Sequence, residues 1–307
     1  MKKKKIIGII GPGSHFIKKI HPVIIKQKEL EIGGVLRKKK IKFKNYINYN
    51  EKEFFKKNFD FVYISSPNHS HEKYIIKSLH AGFNVICEKP FLTRKKRLKH
   101  IIKIAEKKKK LIFEAFMYLY HPAFTFVLNT IKNKKFGKLK YVISNFRYPS
   151  LKKDNQRYDK NSGGGFFYDS ASYLISLENH LFHNKINSSN YIDQKIKKNV
   201  DLRGSIVVHS SSCKRFYFWG EGQRYSNNVE LFFDKATVFI DKFFSKKTDE
   251  KIIVKIYGKH NKEIKIRKKN HFDLMFKAII KNYKNINFQK KHILKIKKQS
   301  NLLSKLS

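Results

Sequence analysis

Residues 5–16, KIIGIIGPGSHF, carry the reading on which the fold turns. The apolar run Ile6 to Ile10 is the pattern of a strand buried on both faces. It stops abruptly at Gly11-Pro12-Gly13, and apolar residues then recur at helical spacing through PGSHFIKKIHPVIIK. In a strand–turn–helix unit of this kind Gly11 permits the tight turn and Gly13 lets the backbone approach a pyrophosphate. The helix N-terminus that follows supplies N–H donors and partial positive charge. Pro12, Ser14 and His15 complete this first set of candidate cofactor contacts, and Phe16 stands where a third small residue usually sits.

The pattern repeats outward from that unit. LEIGGVL (30–36) and FDFVYISS (59–66) read as strands, and HEKYIIKSLHAG (71–82) as a helix with Gly82 at its stop position. NVICEK (84–89) is a further strand, residues 94–110 a helix, and LIFEAFMY (111–118) another strand. Strands and helices alternating at this pitch predict a parallel sheet covered on both faces. After Tyr118 the texture changes. A helix is expected over 121–137, an alternating strand over 138–148, and a helix opened by three glycines over 163–182. Alternating stretches between about 186 and 270, such as VELFFDKATVFIDKFFS, suggest an antiparallel sheet, with helical segments closing the chain. The expected fold class is α/β: an N-terminal parallel sheet over 1–119, then an α+β domain over 120–307 with a mostly antiparallel sheet.

The 307 residues carry 69 basic and 23 acidic side chains, a formal charge of +46. Such a balance ordinarily suggests a nucleic-acid or membrane partner. The bases are nine arginines and 60 lysines, dispersed along the whole chain. Base-edge readout and bidentate phosphate clamps favour arginine. Lys, Ile, Asn, Phe and Tyr, all abundant, share A/T-rich codons, so the charge is read as compositional drift onto solvated faces, with no specific nucleic-acid partner. No run approaches the roughly 18 apolar residues of a membrane span. Cys87 and Cys213 lie far apart, which points neither to a disulfide framework nor to a metal site and fits a reducing cytoplasm.

Three strand ends carry polar residues suited to chemistry. The second strand ends in Arg37, where an NAD-specific site would place an acid on the ribose 2′-hydroxyl; a guanidinium there suits a 2′-phosphate. The third runs into SSPNHSH, whose Ser66, Pro67, Asn68 and His71 sit where open α/β sheets bind ligands. The fourth ends in Glu88-Lys89-Pro90.

Together, PNHSH (67–71), AGFNVICEKP (81–90), EAFMYLYHP (114–122) and GGGFFYDSASY (163–173) resemble, in order and spacing from about residue 5 to 258, the landmarks of the Gfo/Idh/MocA oxidoreductases. The resemblance implies a Rossmann domain for a nicotinamide nucleotide and a second domain with an open sheet that binds substrate; an open sheet needs covering, so a homodimer or homotetramer is expected. It places Lys89 near the nicotinamide and the substrate carbon, in a Lys-Pro peptide that is commonly cis. Where many members have a catalytic histidine, this chain has Tyr173. That is similar to the subset holding glucose-fructose oxidoreductase, dihydrodiol and xylose dehydrogenases, and the NADPH-dependent nucleotide-sugar 3-ketoreductases of deoxysugar biosynthesis. Residues 145–165 and 220–245 look most like the last group. Phe16, Leu119 and Ala171 depart from the usual pattern.

The resemblance thus implies an NAD(P)-dependent oxidoreductase acting on CH–OH groups, with NADP preferred over NAD and a nucleotide-linked ketosugar as substrate. A free-sugar or trans-dihydrodiol dehydrogenase stays open, as does a non-catalytic polyanion or nucleotide binder. Lys89 and Tyr173 are the expected catalytic pair. A fixed ammonium stabilises the oxyanion that hydride transfer builds, and it lowers the pKa of a neighbouring phenol, ordinarily about 10, toward acid–base work. Phe116, Tyr118, His121, Arg157, Asp169 and Tyr173 are the expected substrate contacts, and Glu88 with Lys89 borders the cofactor.

Overall fold

The computed structural model describes residues 3–37, 46–182, 186–197, 199–247 and 250–306. The chain divides into two compact units, Met1–Ala115 with Met275–Ser304, and Phe116–Leu274 with Lys305–Ser307.

The first unit is built on a six-stranded parallel sheet. Its strands are β1 (Lys5–Ile10), β2 (Leu30–Leu36), β3 (Asn48–Tyr49), β4 (Phe61–Ile64), β5 (Asn84–Cys87) and β6 (Ile112–Glu114), in the order β3-β2-β1-β4-β5-β6. All four residues of β4 and of β5 are buried, which explains why these strands read as unbroken apolar runs rather than as alternation. Helix α1 (His21–Ile24) is short because the winding before it, Phe16–Ile20, is a π turn, and Pro22 at its start has no N–H to continue the ladder. Helix α2 (Glu51–Phe54) is fixed by a reciprocal capping box between Asn50 and Glu53. Helices α3 (His71–His80) and α4 (Leu98–Lys108) turn Tyr74, Ile75, Leu79, Ile101, Ile102 and Ala105 into one apolar core with Val62, Ile64 and Val85. The strand expected over 111–118 is confined to β6. Ala115 N–H still bonds to Cys87 O, but Cys87 is the last residue of its neighbour, and a 3₁₀ turn over Met117–Tyr120 follows.

The chain closes with helices α7 (His271–Asn282) and α8 (Ile286–Lys305). Met275–Ser304 belong with the parallel sheet, because their side chains complete its core. Tyr63 meets Phe276, Phe61 meets Tyr283 at 4.8 Å between ring centroids, and Phe113 meets His292 at 4.4 Å.

The second unit holds an eight-stranded sheet: β7 (Leu139–Tyr148), β8 (Ser188–Lys197), β9 (Val200–His209), β10 (Lys214–Glu221), β11 (Ser226–Phe233), β12 (Ala236–Asp241), β13 (Ile252–Gly258) and β14 (Lys262–Ile266). The order is β14-β13-β12-β11-β7-β10-β9-β8, antiparallel except for the β7–β10 pair. Burial alternates strictly along β11, so one face packs and the other does not. Helix α5 (Pro122–Lys132) is capped by His121, and helix α6 (Ser172–Leu181) is almost wholly buried. Glu178 of α6 anchors it to β10, accepting from Arg215 Nε and Nη2 at 2.9 and 2.8 Å and from Tyr217 Oη at 2.7 Å. Glu178 and Arg215 are 0% and 1% exposed, so this is a fully desolvated pair that closes on itself. Among the described residues no helix is long and apolar enough to cross a membrane.

Candidate active site

The carboxyl ends of β1, β4 and β5 stand side by side in the first unit. Gly11 has φ +65°, and a Cβ there would lie 2.6 Å from Ser66 Cβ, so only glycine lets the turn after β1 pass the turn after β4. Around Gly13 a Cβ would meet nothing within 4 Å. Its backbone is open to a phosphate, and Ile17 N–H bonds back to Gly13 O as the helical winding starts. Pro12 is buried, whereas Ser14 and His15 are exposed beside the same turn. Phe16 is fully buried against Tyr63, with ring centroids 5.8 Å apart.

Arg37 leaves β2 with its own N–H bonded to Asn48 Oδ1 at 3.2 Å. Its Nη1 is buried and has no hydrogen-bond partner among the described residues. A desolvated guanidinium nitrogen without an acceptor is costly, and an anionic oxygen placed there would satisfy it. The residues at the ends of β1 and β2 therefore fit a dinucleotide with a 2′-phosphate.

After β4, Ser70 Oγ donates to Ser66 Oγ at 2.7 Å, and Pro67 and Asn68 are half-buried. His71 departs from the expected cofactor contact. It is 0% exposed, and its Nδ1 and Nε2 lie 2.9 Å from Pro90 O and Ser66 O. Glu88 accepts from Tyr63 Oη at 2.5 Å and lies 3.8 Å from His15 Nε2. Lys89 follows, half-buried, in a cis peptide with Pro90. Beside it Glu114, at the end of β6, accepts the Phe91 N–H at 2.8 Å. Burial pushes the Glu114 carboxyl up to about 8, against the pull of that N–H and of Lys89. Tyr63 and Glu114 were not among the sequence candidates, although an acid closing the apolar run LIFEA is a legible signal.

In the second unit the triple glycine explains how Arg157 reaches Asp169. A Cβ on Gly164 would stand 2.6 Å from both Arg157 O and Asp159 O, and Gly165 N–H bonds to Arg157 O at 2.8 Å. The 155–165 segment is thereby folded tightly against itself. Asp169 Oδ2 accepts from Arg157 Nε at 2.6 Å and from Tyr148 Oη at 2.5 Å. The Asp169 carboxylate holds the Arg157 guanidinium well above its ordinary value, while burial, with Asp169 adding to it, pushes the Tyr148 phenol up. Tyr148 completes a cluster of which the sequence had pointed only to Arg157 and Asp169.

Tyr173, on α6, is 6% exposed among the rings of Phe146, Phe116, Phe244 and Tyr118, at 5.1 to 6.0 Å between centroids. Its hydroxyl donates to Met117 Sδ at 3.5 Å. Three expected substrate contacts prove to be interior residues. Phe116 is 3% exposed and packs edge-on to Tyr173. Tyr118 is 0% exposed and its hydroxyl donates to Ser176 Oγ at 3.0 Å. His121 is 2% exposed and its Nδ1 accepts the Ala123 N–H that starts α5. Core packing occupies Phe116 and Tyr118, whereas His121 caps α5 through Nδ1 alone and its buried Nε2 has no hydrogen-bond partner among the described residues. No group of three or more His, Cys, Asp and Glu that could hold a metal occurs among the described residues.

Comparison with known proteins places these observations in a family. Residues 5–116 match the model of an oxidoreductase family with an NAD-binding Rossmann fold, and 124–238 match the Gfo/Idh/MocA C-terminal domain. The chain is 23% identical to dTDP-3,4-didehydro-2,6-dideoxy-alpha-D-glucose 3-reductase of Saccharopolyspora spinosa, over 84% of this chain and 81% of that protein. It is 24% identical to a trans-1,2-dihydrobenzene-1,2-diol dehydrogenase of Xenopus laevis, over 40% of this chain and 37% of that one. The fold superposes on a 3-ketoreductase from Actinomadura kijaniata, solved with NADP and TDP-benzene, with a TM-score of 0.90 at 17% identity, covering 98% of this chain and 96% of the other. With both of its family domains matched in order along the sequence, the chain belongs to the Gfo/Idh/MocA oxidoreductases.

Proposed function

We propose that the chain is an NADPH-dependent reductase of a nucleotide-linked ketosugar. The observation that carries the cofactor half is the buried Arg37 Nη1, which lacks an acceptor among the described residues at the end of β2. The substrate half is supported by the likeness to the two 3-ketoreductases. Gly11, Gly13, Ser14 and His15 would border the pyrophosphate, Arg37 the 2′-phosphate, and Ser66, Pro67 and Asn68 the cofactor beyond it. Bound NADPH would supply the hydride.

The protein's own part is electrostatic and protonic. Lys89, carried on the Glu88–Pro90 turn, stabilises the negative charge that develops on the carbonyl oxygen. Tyr173 delivers the proton that makes the alcohol. Asp169 and Arg157, locked to each other, present fixed polar groups to the sugar or its diphosphate. Two buried, unpaired thiols support a reducing, cytoplasmic setting. A homodimer or homotetramer through the uncovered sheet face is supported by Tyr141, Ile253 and Tyr257, each more than a third exposed there; light scattering would read the mass.

Turnover of a panel of nucleotide-linked ketosugars, free sugars and trans-dihydrodiols with NADPH and with NADH tests the assignment. Activity on a nucleotide-linked ketosugar with NADPH is expected. Activity confined to free sugars or dihydrodiols would move the chain to the alternative branch, and none with either cofactor would leave a binding protein on the same fold.

A further inference from the structure

His71 opens α3, is completely buried, and has a carbonyl oxygen 2.9 Å from each ring nitrogen. Those carbonyls belong to different turns. Ser66 O lies in the polar turn that leaves β4, and Pro90 O closes the turn that carries Lys89. An imidazole is rigid and planar, with its two nitrogens aimed in divergent directions, so a ring held between the two carbonyls sets the separation of the two turns. Without His71, the Lys89 turn keeps the Glu88 N–H bond to Ile64 O before it and the Phe91 N–H bond to Glu114 after it. Neither bond reaches the Ser66 turn, one of the parts of the unit that would touch a cofactor.

We propose that His71 is a positioning residue, a spacer that holds the Lys89 turn at a fixed distance from the Ser66 turn and so fixes Lys89 relative to the bound nicotinamide. The consequence for Lys89 rests on the reductase reading above; the spacing itself does not. Burial lowers the basicity of the ring, whereas the Pro90 and Ser66 carbonyls and the nearby Glu88 carboxylate raise it. A neutral ring donates to one carbonyl only, so the spacer works through at least one strong hydrogen bond and by filling the gap to the other.

Two variants separate spacing from bulk. His71→Phe keeps an aromatic plane and loses both ring nitrogens; His71→Gln keeps one polar arm. Hydrogen exchange read with no substrate should show the Phe91 and Ser70 amides opening about 10-fold or more faster in His71→Phe, with partial return in His71→Gln. Amides in the strand core, such as Val62 and Val85, should stay protected. With an active substrate, kcat should fall about 10- to 100-fold in His71→Phe, as displacements near 1 Å cost in positioned catalysis. The NADPH Kd should move less than threefold, and the deuterium isotope effect from 4-deuterated NADPH should rise as hydride transfer becomes limiting. Unchanged exchange at Phe91 and Ser70 would overturn the proposal, and so would exchange rising uniformly through the sheet, the mark of a core residue. If the turns loosen as expected while no ketosugar is reduced, the spacer stands and the reductase assignment fails.

Discussion

Replacing Arg37 by alanine separates the two nicotinamide cofactors. The side chain ends in a buried Nη1 without a partner among the described residues, while its backbone N–H is held by Asn48. Alanine therefore removes the guanidinium and leaves the path of β2 as it is. A hydrogen bond to a charged group contributes about 1.5–3 kcal/mol net. At about 1.4 kcal/mol per decade, the NADPH Kd should rise about 10- to 150-fold. NADH has a hydroxyl where NADPH has the phosphate, and its Kd should change by less than about threefold, since no charge pair is lost. The cofactor-free variant should be no less stable than wild type, because removing a desolvated donor that lacks an acceptor removes a cost. Fluorescence titration of both reduced cofactors at one ionic strength measures the contrast, and salt is held constant because a surface charge alone would produce a screened, weaker effect. Equal weakening of both cofactors would refute the assignment of Arg37 to the 2′-phosphate. A large loss of stability would show that the guanidinium is structural.

Tyr173→Phe should preserve the aromatic cluster and NADPH affinity while lowering turnover about 10²- to 10⁴-fold. Lys89→Ala should cost at least as much, and the double variant well short of the summed penalties, since both act on one transition-state charge; steady-state kinetics on stability-matched protein decides, and near-normal turnover of Tyr173→Phe would make it a core tyrosine. Glu178→Gln leaves the Arg215 guanidinium buried without its counter-charge and should destabilise the second unit by about 3–5 kcal/mol in urea melts. For Glu114, burial raises the native carboxyl from 4.5 to about 8, so the native state holds the proton more tightly than the unfolded chain does. That contribution is complete below the ordinary value and is lost as pH rises through about 8. Thermal melts from pH 4 to 9 should show this decline in wild type and a flatter profile in Glu114→Gln, which keeps an acceptor for Phe91; parallel profiles would place the carboxyl in an ordinary, ionised state.

Much of the first sheet was readable in the chain because its signals are local. An apolar run such as FVYI ends at a polar turn whether or not its neighbours are known, and Gly11-Pro12-Gly13 breaks a strand by its own backbone preferences. The positions of Arg37, Ser66 and Lys89 at strand ends follow from the same local reading, and the alternation through VELFFDKATVFIDKFFS (229–245) pointed to the antiparallel sheet. Side-chain partnerships over long separations were not readable, because periodicity gives a burial face and not what that face meets. Tyr118 and His121 stand in a motif that resembles a substrate site, yet Ser176, 58 residues away, takes the Tyr118 hydroxyl, and the start of α5 takes Nδ1 of His121. Likewise His71 lies in a cofactor motif, but its ring turns inward to Pro90, 19 residues on. Met275–Ser304 join the parallel sheet because Phe61, Tyr63 and Phe113 leave aromatic faces that distant rings fill. Local chemistry in the sequence determined the elements and the strand-end residues; tertiary packing, which satisfies most buried polar groups with whatever the fold brings near and leaves a few such as Arg37 Nη1 without a partner among the described residues, decided which of those residues remain available to a ligand.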